Sequence, residues 1–406
     1  MNAFGRKADG MAEGVKKMEK ILYLDGIRGL AAMGVLFTHI VVGFYPAIFN
    51  GKAEQAHWAG GADAVLGHSI LAGCFASNLA VPMLFLLSAY VLSFRFFIKQ
   101  DTAVATANAY RRYMRLVGPV LASMLLACLF LRLGWFHNIE VSRLAHSEWF
   151  LGAYYTFPAD FAEAVRQAVW KCFSLDGVQT YNPPLWTMNF ELLGSFTVFG
   201  FLALFGGSAR RYVVYTVMGV LFIRSYYFAF VLGVILSDMH YSAWGRAPGE
   251  FLRRRPWLCV LLMGIGAFLG TYFTDGQTAW SCWLEPAFLV DWGVNLFAFW
   301  HILGAAFLFL GCLYHEGMQR CLSWRPLTFL GRVAFSFYLL HFILLCSLGC
   351  RLFLQFNSWG WSYFSSVAAM AAVLWPVTVF ASWLMTVYLD EPLMHFVKRM
   401  QQRYFY

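Results

Sequence analysis

Ten apolar segments determine what this chain can fold into. Most of them have about the 20 residues that an α-helix needs to cross the hydrocarbon core of a bilayer, and the fifth and sixth are shorter. Of 406 residues, 60% are hydrophobic and 13% are charged, and that charged share is about half of what a soluble domain carries. The sequence therefore predicts an all-α, polytopic membrane protein with about ten transmembrane helices. The predicted spans are 25–45, 70–97, 116–134, 185–206, 212–224, 226–239, 256–273, 294–314, 333–353 and 364–388.

The charges between these spans predict how the chain is oriented. Lys and Arg concentrate in alternate connections, as expected of cytoplasmic loops, and the other connections carry mainly Asp and Glu. This pattern places both termini in the cytoplasm, with 1–20 and 396–406 as tails and 21–395 as the membrane domain. A long loop at about 135–183 falls on the extracytoplasmic side. Its amphipathic part, 160–170, predicts a helix that lies on the outer face or caps a cavity. The net charge of +9 thus reflects topology, and no nucleic-acid partner is predicted.

The first span carries Asp25, Arg28 and His39. Eleven residues at 100° each leave Arg28 and His39 about 20° apart around the helix axis and about 16 Å apart along it. Placing a charge at the bilayer centre costs about 2.5–3.5 kcal/mol of free energy. A row of polar residues within a span therefore indicates a functional site. The alternative is that Asp25 and Arg28 are interfacial anchors and that His39 is a hydrogen-bonded residue between helices.

Several arginines should converge on the cytoplasmic rim of the bundle. A guanidinium presents a fixed fork of donors that suits phosphate oxygens. The cluster therefore predicts a clamp for a polyphosphate ligand that enters from the cytosol. The alternative is a basic cluster that only sets the topology. The arginines are Arg28, Arg95, Arg111, Arg112 and Arg115.

Two more polar side chains fall inside spans. Glu191 should lie about two turns below the outer surface, where it either takes part in acceptor binding or forms a structural ion pair. His341 lies about 13 Å along its helix from Arg332, at a depth similar to that of His39. The alternative for His341 is a hydrogen bond that bridges helices.

Six stretches, in order along 20–395, resemble the motifs of the acyltransferase-3 family of integral membrane acyltransferases. The last of them, DEP at 390–392, also predicts the end of the final helix, since a proline disfavours helix in the residue before it. The others are LDGIRGLAA with Arg28 and His39, FLLSAYVLSFR, RRYMRLVGP, PLWTMNFE and SFYLLH.

The resemblance implies transfer of an acyl group, often acetyl, from cytoplasmic acyl-coenzyme A (acyl-CoA) to a hydroxyl of an extracytoplasmic or lipid-linked acceptor, typically a carbohydrate. The family's essential histidine matches His39, its paired arginine matches Arg28, and its basic residues after the second span match Arg112 and Arg115. The expected location is the plasma (inner) membrane, with membrane lipid as a partner. Together with the residue-based candidates, the predicted catalytic set is His39, Arg28, Glu191 and His341. The predicted donor-binding set is Arg28, Arg95, Arg111, Arg112 and Arg115.

Two other classes of protein use similar residues. Buried His, Arg and Glu side chains are also found in transporters and proton-coupled carriers. The sequence shows no internal repeat and no matching pair of broken helices, which are common in carriers. A structural or regulatory protein that has lost activity is the other alternative, and the presence of both Arg28 and His39 argues against it. No metal is predicted, because no zinc or haem ligand spacing occurs.

Overall fold

The computed structural model describes 21–101, 103–175, 180–273 and 281–405, so the predicted tail 1–20 lies outside it. These residues form helices and connections without any strand, and apolar helices occur at all ten predicted positions. Those helices are α1 (Leu22–Phe44), α2 (Ala80–Lys99), α3 (Ala103–Arg132), α4 (Thr187–Leu204), α5 (Arg211–Phe222), α6 (Tyr227–Tyr241), α7 (Pro256–Leu269), α8 (Leu296–Tyr314), α9 (Arg325–Leu344) and α10 (Tyr363–Met385).

Within the described ranges, seven of these helices (α1–α4 and α8–α10) are long and apolar enough to cross a membrane, and α5–α7 are shorter apolar helices. The prediction of an all-α, polytopic membrane protein is therefore confirmed. Shorter helices lie in the connections: Pro46–Asn50, Ala62–Gly67, Ala72–Ala76, Asn138–Leu144, Phe161–Val169, Arg246–Arg253, Ala287–Asp291, Glu316–Leu322 and Cys350–Ser358.

Glycines bring α1 and α9 into backbone contact. A Cβ added to Gly331 would lie 2.0 Å from the carbonyl oxygen of Asp25, and one added to Gly29 would lie 2.7 Å from that of Leu327. Small residues allow this close approach between helices in a membrane, where packing and not hydrophobicity drives association. The contact holds the start of α1, with its charged residues, beside the start of α9.

The buried side chains form two main packing clusters. One joins the second half of α1 to α3, α9 and α10. The other joins α2 to α4, α6 and α8. A cavity lies between them, and its wall includes Leu116 of the first cluster and Phe85 of the second.

The segment between α3 and α4 runs back along α3, from the Arg132 end of that helix towards its N-terminal end. The helix predicted at 160–170 is present as Phe161–Val169. Its last carbonyl accepts a hydrogen bond from the hydroxyl of Tyr113, and the ring of Phe173 lies 5.4 Å from that of Tyr113. Tyr113 is about 28 Å from Arg132 along the axis of α3. The helix therefore packs along the side of α3, and its predicted position on the outer face is wrong.

This descent changes where α4 begins. The side-chain amide of Asn182 donates to the Ser123 hydroxyl (3.1 Å) and to the Leu339 carbonyl (2.9 Å). Ser123 is about 14 Å from the Arg132 end of α3. The chain thus enters α4 from inside the bundle and not from its outer surface.

Two predicted helix boundaries are also wrong. The predicted span 70–97 is two helices, because Ser77 adopts a left-handed backbone conformation (φ 40°) between them. At the other end of the chain, α10 does not stop at 390–392. It continues through a wide π-helical turn, Thr386–Asp390, into the helix Glu391–Phe405. Pro392 lies two residues after this wide turn, within the continuing helix.

Candidate active site

A cavity of about 410 Å³ opens between α1, α2, α3, α4 and α9. One part of its wall is charged and the rest is mainly apolar. The charged residues are Asp25, Arg28, Arg112, Arg115, Glu191, Arg332 and Asp390; the apolar ones include Val81, Leu84, Phe85, Leu92, Leu116, Met188 and Phe335.

The cavity brings together three of the five arginines predicted to bind the donor. Arg28, Arg112 and Arg115 line it, whereas Arg95 and Arg111 are not among its lining residues. Arg95 is exposed and lies 5.9 Å from the ring of Phe94. Sequence reasoning missed Arg332, whose only signal was its place near the start of the ninth span.

Arg112 is the most buried of these arginines, at 7% exposure. Its Nε donates to the Ser195 hydroxyl (2.8 Å), and its Nη2 donates to the Ser88 hydroxyl (2.9 Å) and to the Glu191 carboxylate. Ser88 donates in turn to the same carboxylate at 2.6 Å. Removing one partner of such a buried pair typically destabilises a protein by about 3–5 kcal/mol.

The location predicted for Glu191 is wrong. Glu191 does not lie near the outer end of the bundle, because it pairs with Arg112 and lines the same cavity as Arg28. The physical reason is the descent of the preceding segment, which starts α4 inside the bundle. The geometry matches the structural ion pair that was one of the two interpretations of Glu191.

The other arginines of the cavity are more exposed. Arg28 pairs with Asp25 at 3.2 Å, and its side chain is 30% exposed. Arg332 donates from Nε and Nη2 to the two carboxylate oxygens of Glu391, at 2.7 and 2.8 Å. Arg115 is exposed. Ion pairs in contact with solvent contribute only about 0–1 kcal/mol, so these guanidiniums are easier to release from their partners than Arg112.

His39 and His341 are in direct contact. The Nδ1 atom of His39 lies 2.9 Å from Nε2 of His341, and Nδ1 of His341 lies 2.7 Å from the carbonyl oxygen of Tyr338. A carbonyl oxygen only accepts, so Nδ1 of a neutral His341 carries the proton and its Nε2 accepts from Nδ1–H of His39. Nε2 of His39 is then left unprotonated, as a general base requires.

A thin layer separates this histidine pair from the cavity. Tyr338 lines the cavity, but the described lining residues do not include His39 or His341. The Tyr338 hydroxyl donates to the Pro184 carbonyl at 2.6 Å and lies 3.0 Å from the Thr187 hydroxyl. The histidine pair follows one helical turn beyond Tyr338.

Aromatic rings cover the histidine pair on its other side. The ring of His39 lies 5.8 Å from that of Phe150 and 5.2 Å from that of Phe342. Phe150 belongs to the segment between α3 and α4, so this segment also builds the surroundings of His39. Among the described residues, no group of three or more His, Cys, Asp or Glu could hold a metal ion.

Comparison with known proteins identifies the family of the chain. Residues 21–386 match the acyltransferase domain that defines the acyltransferase-3 family. The chain is 23% identical over 417 residues to acyltransferase clz18 of Cochliobolus lunatus, covering 84% of this chain and 85% of that protein. It is 24% identical over 409 residues to acyltransferase R4 of a Phoma species, with the same coverage of 84% and 85%. No solved structure matches the chain. The match across nearly the whole membrane part shows that the chain belongs to the acyltransferase-3 family and is a membrane-bound O-acyltransferase.

Proposed function

We propose that this enzyme transfers an acyl group, acetyl in the simplest case, from cytoplasmic acyl-CoA to a hydroxyl of a carbohydrate or lipid-linked acceptor. One observation carries the proposal. One cavity has exposed guanidiniums in its wall and is also lined by Tyr338. Behind Tyr338 lies a histidine pair whose tautomer is defined by its hydrogen bonds. Membership of an enzyme family favours this function over the carrier and over the inactive structural protein.

The cavity fits the two parts of the donor. Phosphate groups bind at the charged end, where Arg28, Arg115 and Arg332 present partly exposed donors. The pantetheine arm lies along the apolar wall, directed towards Tyr338. Since Tyr338 stands between the cavity and the histidine pair, productive donor binding includes a displacement of this side chain.

His39 performs the proton transfer in this scheme. Its Nε2 takes the proton of the acceptor hydroxyl while the hydroxyl oxygen attacks the thioester carbonyl. The thiolate of coenzyme A then leaves and recovers the proton from the imidazolium. General-base catalysis of this kind contributes about 10²–10⁴-fold in rate. Transfer through an acyl-imidazole on His39 balances equally well, and an acyl-histidine trapped by mass spectrometry would establish that route.

The acceptor approaches His39 from the side covered by Phe150. The charge pattern predicts that side to be extracytoplasmic, so the acceptor is reached from outside the plasma membrane or from its outer leaflet. A lipid-linked carbohydrate suits this location, because its anchor remains in the membrane lipid while its hydroxyl enters the site.

The test combines a product search with a single substitution. Lipids and surface glycans are compared by mass spectrometry from cells with the enzyme, without it, and with His39→Ala. We expect one species to gain one acyl mass only with the intact enzyme, and the purified enzyme to release free coenzyme A with that acceptor. An unchanged acylated product with His39→Ala would remove His39 from the mechanism.

A further inference from the structure

The charged end of the cavity is nearly balanced in charge. Arg28 lies beside Asp25, Arg112 beside Glu191 and Arg332 beside Glu391. Arg115, the fourth arginine, interacts electrostatically with Asp390. A phosphate that binds Arg28, Arg112 or Arg332 therefore competes with a carboxylate for the guanidinium.

The four arginines differ in how firmly their carboxylates hold them. The guanidinium of Arg112 is buried and bonded to two hydroxyls and to Glu191, which together occupy three of its five N–H donors. The pair of Arg332 and Glu391 is the opposite case, with side chains 44% and 39% exposed. Water and salt weaken such a pair, so an incoming anion displaces it easily.

The geometry of Arg332 also suits exchange. Its Nε and Nη2 donate in parallel to two oxygens of one carboxylate, at 2.7 and 2.8 Å. Two oxygens of a phosphate present nearly the same target to this fork. The guanidinium is thus already arranged for a phosphate, with Glu391 in the place of the ligand.

The position of both partners supports the same conclusion. Arg332 lies next to Gly331, whose backbone touches that of Asp25, so a phosphate on Arg332 also lies close to Arg28. Glu391 comes from the helix that follows the wide turn Thr386–Asp390.

We infer that Arg332 is a further donor-binding residue, and that Glu391 occupies its guanidinium until a phosphate of the acyl-CoA donor replaces it. The inference rests on the proposed function. It also assigns Glu391 the part of an internal competitor, so the two residues have opposite effects on donor affinity.

The experiment measures donor affinity by calorimetry, with the full chain in lipid nanodiscs. The ligands are acetyl-CoA and S-acetylpantetheine, which lacks the phosphates. We expect Arg332→Gln to weaken acetyl-CoA binding about tenfold, the effect of losing one charge-assisted contact, and to leave acetylpantetheine binding unchanged. Glu391→Gln should strengthen acetyl-CoA binding about threefold or more, because the competing charge is gone.

Arg320→Gln is the matched control. Arg320 also pairs with a glutamate, Glu316, but both side chains are more than four-fifths exposed, and neither lines the cavity. Its substitution should not change the affinity for either ligand.

The outcomes separate the two proposals. If the wild type binds acetyl-CoA and Arg332→Gln binds it equally well, Arg332 is not a donor ligand. If Glu391→Gln weakens binding, the pair is structural and the competition is wrong, a result that holds even if Arg332→Gln fails to fold. If the wild type binds acetylpantetheine but gains nothing from the phosphates, the acyl-CoA donor itself is wrong.

Discussion

Arg112 and Arg115 are three residues apart on α3, yet their surroundings differ. The sequence shows two neighbouring cations and predicts one shared function as a phosphate clamp. Arg112 is 7% exposed and bonded to Glu191, whereas Arg115 faces the cavity and the solvent. The difference arises from where α4 begins. The sequence did not reveal that start, because the descending segment before it reads as an ordinary surface loop.

This difference predicts opposite phenotypes for the two arginines. Arg112→Gln should lower the free energy of unfolding by about 3–5 kcal/mol, because it leaves the buried carboxylate of Glu191 without its cation. Arg115→Gln should keep the melting temperature and weaken donor binding. Thermal unfolding and calorimetry in nanodiscs measure both effects.

Arg166→Gln serves as the control for the loss of an ion pair. Arg166 pairs with Glu163 three residues earlier and is 64% exposed, so its loss should change stability by about 0–1 kcal/mol. Equal melting temperatures for Arg112→Gln and Arg166→Gln would contradict the buried pair.

In the proposed mechanism His341 is a positioning residue, because it contacts the reacting atoms only through His39. The sequence predicted the similar depth of the two histidines from helical rise alone. It could not predict their contact, which depends on how closely α1 and α9 cross. The hydrogen bond from His341 to the Tyr338 carbonyl then determines which nitrogen of a neutral His39 is left unprotonated.

Substitution of His341 should therefore lower kcat without changing KM for the donor. We expect His341→Ala to lose about 10–100-fold in kcat, since the tautomer of His39 is no longer fixed. His341→Gln should recover part of that loss, because its amide oxygen accepts from Nδ1–H of His39. Steady-state kinetics with the identified acceptor measure both.

His301→Gln is the matched control for that experiment. His301 is equally buried and lies 2.6 Å from the Phe297 carbonyl one turn earlier, but it belongs to α8, where the rings beside it are those of Tyr272 and Phe297 and not that of His39. If His301→Gln and His341→Gln have the same kinetic effect, the role of His341 is only structural.

At the scale of helices, the sequence predicts that a helix is present better than it predicts where the helix begins and ends. Each span is apolar for long enough to be recognised without any tertiary information. The start of α4 and the break at Ser77 depend instead on contacts with other helices, such as the bonds of Asn182 to α3 and α9. Mixed amphipathic stretches such as Phe161–Val169 carry no signal that distinguishes a helix on the outer face from one that packs along the side of another helix.

The contact between α1 and α9 predicts that adding one methyl group at Gly331 lowers the stability of the protein. Gly331→Ala places its Cβ 2.0 Å from the Asp25 carbonyl, so the helices must separate and displace Arg28. We expect a loss of about 1–3 kcal/mol in stability, as for other overpacked sites. Donor affinity should fall with it.

Gly200→Ala in α4 is the comparison. A Cβ at Gly200 meets no atom within 4 Å, and alanine is the better helix former. This variant should melt at the same temperature as the wild type or slightly higher. A similar loss in both variants would show that steric contact is not the cause.

At the scale of the whole molecule, the charge pattern predicts which side each end faces. Cys74 precedes α2 on the predicted outer side, and Cys321 precedes α9 on the predicted inner side; both are exposed. The other six cysteines whose side chains the structure describes are buried. The two natural thiols therefore report orientation.

We expect a membrane-impermeant maleimide to label Cys74 in intact cells and Cys321 only in inverted vesicles. Every protein in this experiment carries Cys282→Ser, because the structure does not describe the side chain of Cys282. Cys74→Ser and Cys321→Ser identify each labelled site by mass spectrometry. Labelling of Cys321 from outside would reverse the predicted topology, and with it the side from which the donor enters.

The cavity between the two packing clusters makes the stability of the fold depend on its own substrate. A donor seated there contacts helices from both clusters and binds only when they are correctly assembled. By mass action, such a ligand at about 100 times its Kd adds about 2.7 kcal/mol to the free energy of unfolding. The amount of folded enzyme in the membrane would then follow the donor concentration in the cytosol, so a cell short of acyl donor would also retain less of the enzyme that consumes it.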